Sequence, residues 1–428
     1  MNIKKHFFLS NPILKNILIL FSGTGIAQII PFVATFVLSR IYTKTDFGDL
    51  SLIMSISGIL GVVVALRYEL VIVLQRKVSN AKSIMALSFS LTLFFSFLFF
   101  FFLYVLHPIL EDGLDISDYS LLYYTPIIIA GIGIYNVFDN WFNRQREYKN
   151  MVYLKIIQST ISSSVKILLG VIGISRGLIG GTVIGYLVTV LACIYLFTKK
   201  DFFSCIYFSY KKMRALAISY KDFSLYATPS GLLNSMALTG LPMLITYFYS
   251  VDMAGLYFFS NNLIGMPVFF LANAVGHVFK KESVDLIHSN QIKDLNNLVR
   301  KFQQIVFLII LLYIFIFSLF GGNIFSFLFG SQWQESGNMI KFFGFYLLFG
   351  TCFSIISSLI DVLRLQKASL LFNASLLLSQ IIVFAIFSRF LEFEYILLIN
   401  SIVGSTQYFI LDRYVKNKIK IKQNGSYK

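Results

Sequence analysis

The sequence has little charge, little cysteine and little histidine. Charged residues fill only 13% of its 428 positions, whereas soluble proteins carry about 25% and need that charge for a hydrated surface. Soluble enzymes and soluble binding domains are therefore excluded. The four histidines show no HExxH or His-x-His spacing, so no zinc site is predicted. The cysteines are too few and too scattered for a disulfide framework or a Cys-based metal site: Cys193, Cys205 and Cys352.

Apolar residues are present in excess instead. Hydrophobic residues make up 57% of the chain, 46 of them Phe, and the mean hydropathy is +0.75. Because a spanning helix needs about 20 mostly apolar residues, the sequence predicts an all-α polytopic membrane protein with about twelve transmembrane helices. The twelve predicted spans are 16–38, 50–74, 83–106, 121–139, 151–174, 177–197, 223–248, 254–279, 303–320, 341–361, 368–388 and 395–412.

Basic residues in the connections set the orientation, because cytoplasmic loops of membrane proteins are rich in Lys and Arg. With the N-terminus inside, 28 of the 36 Lys and Arg residues fall in inner segments, five in outer connections and three within spans. The first long outer loop, 107–118, holds four acidic residues and no basic one. Both termini are therefore predicted to be cytoplasmic. The net charge of +16 is explained by these loops, and no nucleic acid is expected as a partner.

The chain is predicted to consist of two similar halves. A basic linker at 199–222 separates an N-terminal six-helix lobe, 1–198, from a C-terminal one, 223–412, and a basic cytoplasmic tail follows at 413–428. In both 31–48 and 242–255, a span with a Pro ends in an aromatic residue and leads into a turn with Asp and Gly. Halves with an even number of spans share one orientation, and such pairs usually hold a substrate cavity between them.

Several segments of the first 150 residues carry motifs of a known family. They read GTGIAQ at 23–28, LSRIYTKTDFG at 38–48, LRYELVIVL at 66–74 with NA at 80–81, and WFNRQREY at 141–148. Together with the topology, they resemble the polysaccharide flippase (Wzx-like) family of the multidrug/oligosaccharidyl-lipid/polysaccharide exporter superfamily. The resemblance covers the whole chain in topology and mainly the first 150 residues in motif.

The resemblance implies a fold and a function. The fold would be two six-helix lobes around a central cavity that opens alternately to each side. The function would be to move an undecaprenyl-linked oligosaccharide unit, of the O-antigen, lipopolysaccharide or capsule type, from the cytoplasmic to the outer leaflet of a bacterial inner membrane. Membrane lipids, a polysaccharide polymerase and the chain-length machinery would then be its partners.

Ionisable residues within spans are functional-site hypotheses by default, because burying them in the bilayer is expensive. Lys155 and Lys166 lie eleven residues apart, which places them within roughly 20° on one helix face, with Ser159 and Ser162 on or near that stripe. Such a stripe suits an anion such as a pyrophosphate. Lys155 lies near the cytoplasmic end, where snorkelling is the competing explanation. Gln28 and Arg40 are further candidate cavity residues.

Arg67 and Glu69 lie two residues apart, about 200° around a helix. They therefore should not face one cavity unless the helix bends. The sequence predicts Arg67 as an anion contact, with a structural ion pair as the alternative. Since no Walker or other nucleotide motif occurs, no cofactor is expected, and active transport would use a proton or sodium gradient. The candidate coupling residues are Glu69, Asp139 and Asp361, the last of which could instead pair with Arg364.

Two other functions stay open from the sequence. A membrane-embedded polysaccharide polymerase or glycosyltransferase would also be rich in helices and basic inside, but such enzymes generally need a sizeable outer loop with catalytic groups. No predicted outer connection here exceeds about 20 residues, the length of a single span, which favours a transporter over an enzyme. A drug or metabolite exporter of the same fold is the second alternative.

Overall fold

A computed structural model describes residues 12–111, 119–201, 209–288, 292–357, 359–360 and 365–423. Within those ranges the chain is helical and contains no strand. It forms two compact units, residues 1–235 and 236–428. The lobes at 1–198 and 223–412 and the linker at 199–222 remain a prediction.

The first unit is built from nine helices among its described residues. Helices α1 and α2 are followed by a 3₁₀ turn, Tyr68–Leu70, and a second 3₁₀ segment, Tyr119–Tyr124, precedes α5. The helices are α1 (Pro12–Ile41), α2 (Lys44–Val63), α3 (Val71–Leu74), α4 (Val78–Glu111), α5 (Thr125–Arg144), α6 (Tyr148–Val171), α7 (Gly177–Asp201), α8 (Tyr210–Ser219) and α9 (Lys221–Thr239).

The second unit contains the remaining helices. A π-helical turn, Tyr346–Gly350, separates two short helices of this unit, and 3₁₀ turns lie at Ser331–Trp333 and Ile355–Ser357. The helices are α10 (Leu241–Phe248), α11 (Val251–His288), α12 (Ile292–Phe329), α13 (Gln334–Asn338), α14 (Ile340–Phe345), α15 (Thr351–Ser354), α16 (Gln366–Phe387) and α17 (Phe393–Gln423).

Each of the twelve predicted spans overlaps helical segments among the described residues. Among the described residues, nine helices are long and apolar enough to cross a membrane, and the count rises to ten if the pair α9 and α10, bent by 57°, is one span. The segment Ile340–Ser354 is a shorter apolar helix, and α17 covers the twelfth predicted span. The chain is thus an all-α, multi-pass membrane protein.

Three predicted spans differ in detail from the structure. The span predicted at 50–74 begins earlier, at Lys44, and its helix ends at Val63. The span predicted at 223–248 is bent at Gly240, where Pro242 in the next turn lacks the amide that would continue the helix. The span predicted at 341–361 contains the π-helical turn. Hydropathy alone reports none of these three breaks.

Each unit has its own apolar core. In the first unit, buried residues of α3, α4, α5, α6 and α7 form one cluster, which includes Trp141 and Phe142. In the second, α11, α12, α17 and the segment from Leu348 to Leu365 form another. Large apolar side chains such as Phe97 on α4 and Leu312 on α12 are exposed, as expected for helices that face lipid.

Candidate functional site

Helix α2 ends at Val63, and the residues between it and the 3₁₀ turn at Tyr68 form a break in the helix that positions Arg67. Leu66 and Arg67 both have left-handed backbone conformations, with φ of 49° and 61°. Each such residue is strained by roughly 1–3 kcal/mol unless it is glycine. The reversal brings Arg67 Nη1 within 3.8 Å of Glu69 Oε1. The two side chains therefore meet, although an unbroken helix would place them about 200° apart.

Arg67 and Glu69 form a buried, incompletely bonded pair. The Glu69 side chain is 3% exposed and that of Arg67 is 23% exposed. Arg67 Nε and Glu69 Oε2 are both buried without a hydrogen-bond partner. An unsatisfied buried polar group is expensive, so these atoms could bond a ligand or a proton that the described residues do not supply.

Gly231 on α9 provides the space in which the Arg67 guanidinium lies. A Cβ at this position would stand 2.6 Å from both Nε and Nη2 of Arg67. Gly231 is buried, and it belongs to the same unit as Arg67. The guanidinium is therefore held between Glu69 and the backbone of α9.

Asp139 on α5 lies in a second polar cluster. Tyr135 Oη donates a hydrogen bond of 3.4 Å to Asp139 Oδ1. The positive charge of Lys155 on α6 acts on the same carboxylate, so Lys155 faces α5.

Lys166 lies where α6 packs closely on α7. Gly177, Gly181 and Gly185 follow each other at four-residue intervals on α7 and form one face. A Cβ at Gly181 would stand 2.5 Å from Lys166 Cγ, and one at Gly185 would stand 2.7 Å from Ser162 Cβ. Small residues at this spacing let helix backbones approach. The Lys166 stem and Ser162 therefore lie in a helix interface.

The Lys166 backbone is also fixed from a second side. Tyr42 Oη donates a hydrogen bond of 2.7 Å to the Lys166 carbonyl oxygen. Among the described residues the Lys166 side chain has no acidic partner and no hydrogen bond. Ser159 Oγ donates to the Ile156 carbonyl oxygen at 3.1 Å, which is a local bond within α6. Within the predicted cationic and hydroxyl stripe, Ser159 thus bonds inside its own helix, whereas the Lys166 side chain lies against α7.

The remaining predicted residues are spread out. Gln28 on α1 is half-buried, and Arg40 at the end of the same helix is exposed. Asp361 and Arg364 lie outside the described residues. In the part of the chain that the structure describes, no group of three or more His, Cys, Asp or Glu side chains could hold a metal ion.

A buried polar network in the second unit was not predicted from the sequence. Gln303 Nε2 and Lys416 Nζ each donate a hydrogen bond of 2.7 Å to Asp412, one to each carboxylate oxygen. Lys416 Nζ also donates to Gln303 Oε1 at 2.9 Å, which closes the triangle. The Asp412 side chain is 1% exposed. The sequence signal that could have identified this network is an acid followed one helical turn later by a Lys, at the end of the last predicted span.

The second unit also contains a small uncharged polar cavity. Its lining includes Tyr257, Asn261, Gln380 and Ser401, and its volume is about 40 Å³. Gln380 Nε2 donates to the Ala237 carbonyl oxygen at 3.1 Å, whereas Gln380 Oε1 is buried without a partner. A cavity of this size holds a few water-sized groups. It is too small for a sugar.

The fold identifies the class of protein. A transporter of the MOP superfamily, a multidrug resistance protein of the MATE family in an inward-facing conformation, aligns with a TM-score of 0.66 over 95% of this chain and 96% of its own, at 14% identity. An outward-facing conformation of a multidrug resistance MATE family transporter aligns with a TM-score of 0.59 over 96% of this chain and 98% of its own, at 16% identity. The chain has the fold of MOP superfamily transporters.

A third solved structure is a MOP superfamily transporter from Pyrococcus furiosus, described as having a binding pocket of reverse polarity that suggests a different function. It aligns with a TM-score of 0.58 over 94% of this chain and 95% of its own, at 16% identity. A search of curated proteins finds no match. The family model described as "Polysaccharide biosynthesis protein" matches residues 37–338. The chain belongs to this polysaccharide biosynthesis protein family.

Proposed function

We propose that this chain is a flippase for oligosaccharide repeat units linked to undecaprenyl pyrophosphate. It would move them by alternating access from the cytoplasmic to the outer leaflet of a bacterial inner membrane, with both of its own termini in the cytoplasm. The observation that carries the proposal is the match to the polysaccharide biosynthesis family over residues 37–338. The transporter fold supports translocation, and it favours a flippase over a polymerase or glycosyltransferase.

The pyrophosphate is assigned to the cations of the first unit. The ion pair of Arg67 with Glu69 is long, at 3.8 Å, and the Arg67 guanidinium carries five N–H donors in a fork that matches phosphate oxygens. Lys166 adds an ammonium without an acidic partner among the described residues. Charge-assisted hydrogen bonds from both groups would replace the hydration that a phosphate loses in the membrane.

Coupling to a proton or sodium gradient is assigned to Glu69. Its carboxylate is buried, holds Arg67 at 3.8 Å and has one oxygen without a partner. A proton on Glu69 removes the attraction for Arg67 and would free the guanidinium for phosphate. Asp139, which has Tyr135 as its donor and feels the charge of Lys155, is a second candidate.

The proposal is tested in cells deleted for the chain and complemented with variants. Complete lipid-linked repeat units should accumulate on the cytoplasmic leaflet, and surface polysaccharide should be lost. Lys166→Ala and Arg67→Ala should fail to restore it, because each removes a phosphate contact worth roughly 1.5–3 kcal/mol. Membrane insertion should persist, since removing an intramembrane charge makes insertion easier. Arg389→Ala, at an exposed position outside the helices, is the matched control and should restore the polysaccharide.

Three results would contradict the proposal or its assignment of residues. Complete units that reach the outer leaflet but stay unpolymerised would point to the polymerase. Normal surface polysaccharide in the deleted cells, together with increased sensitivity to cationic compounds, would point to a drug exporter of the same fold. Loss of the Lys166→Ala variant from the membrane fraction would show that Lys166 is needed for folding and would contradict its assignment to the pyrophosphate.

A further inference from the structure

A second cavity lies at one end of the first unit, and neither Arg67 nor Lys166 is part of its lining. It has a volume of about 280 Å³ and is lined by the first turns of α2 and α7, the loop before α7 and one residue of the 3₁₀ segment before α5. Its polar lining is Thr45, Asp46, Asp49, Ser175 and Arg176, and its apolar lining is Leu121, Leu178 and Ile179.

The chain builds this cavity through local contacts that the sequence specifies. Thr43 caps α2: Asp46 N donates to Thr43 Oγ1 at 3.2 Å, and Thr43 N donates to Asp46 Oδ2 at 2.8 Å. The Thr43 hydroxyl donates to the same oxygen at 2.8 Å, and these bonds fix the Asp46 side chain at the start of α2. Tyr42, bonded to the Lys166 carbonyl oxygen and lying against Gly177, places the start of α7 beside that of α2.

The charges around the cavity nearly cancel. Asp46 and Asp49 contribute two negative charges and Arg176 one positive charge. The N-termini of α2 and α7 each add roughly half a positive charge. A divalent cation would meet the guanidinium and two helix N-termini, and a phosphate would meet two carboxylates. The balance therefore favours an uncharged ligand that both donates and accepts hydrogen bonds.

Size and lining narrow the ligand further. At 280 Å³ the cavity lies at the small end of ligand pockets, which hold roughly 300–1,000 Å³. It is large for one ion and small for an oligosaccharide. Carboxylates, hydroxyls and a guanidinium can bond ring hydroxyl groups, while Leu121, Leu178 and Ile179 offer an apolar floor to the C–H face of a sugar ring.

We infer that this cavity, defined by Asp46, Asp49, Ser175 and Arg176, binds a single neutral sugar unit of the translocated oligosaccharide. The inference rests on the proposed function and adds to it a subsite apart from the phosphate contacts. The predicted topology puts residues 40–49 and 172–176 on the outer side. The subsite would then hold one sugar of a unit that has reached the outer leaflet.

The test is saturation-transfer NMR on the full chain in nanodiscs prepared without glycoside detergents. The probes are methyl glycosides of neutral hexoses and N-acetylhexosamines, with calcium ions and inorganic phosphate as competitors. At least one glycoside should receive saturation from the protein at its ring protons. Asp49→Asn should weaken its binding about tenfold, the loss expected for a bond to a charged group, and Ser175→Phe should abolish it by filling the cavity.

Asp252→Asn is the matched control, because Asp252 lies in the first turn of α11 as Asp46 does in α2 and does not line the cavity. This variant should bind the glycoside as the unaltered chain does. The inference is overturned if no glycoside binds, if Ser175→Phe binds equally well, or if calcium or phosphate displaces the sugar. The assay needs neither lipid carrier nor translocation, so its failure is separate from a failure of the flippase proposal.

Discussion

At the scale of single residues, some intramembrane charges lie near an opposite charge and one does not. Arg67 and Glu69 neutralise each other across a strained turn, and the positive charge of Lys155 acts on Asp139. Lys166 instead lies in a helix interface with no acidic partner in the described part of the chain. An unpaired charge in this environment is unfavourable for folding. Stability alone therefore does not explain why a lysine stands at position 166.

The Arg67–Glu69 pair leads to a stability prediction. Arg67→Ala should destabilise the chain by about 3 kcal/mol, because it leaves the Glu69 carboxylate buried without a counter-charge. Adding Glu69→Gln to Arg67→Ala should recover most of that loss, since the amide has no charge to desolvate. Thermal unfolding of the purified variants in one detergent would measure both effects.

A double variant no more stable than Arg67→Ala alone would show that the pair does not interact energetically. Lys416→Ala provides the matched comparison in the second unit. It leaves Asp412 with the Gln303 amide as its remaining donor, so a loss of similar size is expected for the same reason.

At the scale of helices, the breaks are the features that position the candidate sites. In the sequence, Gly240 and Pro242 indicate the bend between α9 and α10. The break after Val63 has no such signal, because Val64, Ala65, Leu66 and Arg67 contain neither Gly nor Pro. For this reason the meeting of Arg67 with Glu69 could not be predicted from spacing, whereas the helical face shared by Ser162 and Lys166 could.

The close packing of α6 on α7 leads to a prediction about glycine. Gly181→Ala should destabilise the chain by about 1–3 kcal/mol, the usual range for overpacking. Its Cβ would meet the Lys166 backbone nitrogen at 2.7 Å and the Ser162 carbonyl oxygen at 3.0 Å, and backbone atoms cannot rotate away. Thermal unfolding in detergent is again the measurement.

Gly58→Ala is the control for this substitution. Gly58 lies within α2, and a Cβ there would meet nothing within 4 Å. Alanine in a helix interior is favoured over glycine by roughly 0.5–1 kcal/mol, so this variant should be slightly more stable. If Gly181→Ala unfolds at the same temperature as Gly58→Ala, the two helices are not in contact at that glycine.

At the scale of the whole molecule, hydropathy predicted the twelve helical regions because lipid imposes the same length and apolarity on every span. It could not predict which side chains meet, because lipid-facing and buried positions of such helices are equally apolar. The Asp412 network shows this limit. Its Gln303 and Lys416 partners come from α12 and α17, more than 100 positions apart in the sequence.

Orientation is the property of the whole chain that the sequence predicts and that can be measured directly. In a background with Cys193, Cys205 and Cys352 replaced, Ser175→Cys and Ser79→Cys place single thiols at exposed sites on opposite predicted sides. Since basic loops are retained in the cytoplasm, a membrane-impermeant maleimide should label Ser175→Cys in intact spheroplasts. It should label Ser79→Cys, beside Arg76 and Lys77, only after lysis. Labelling in the reverse order would show that the chain has the opposite orientation, with the sugar subsite on the cytoplasmic side.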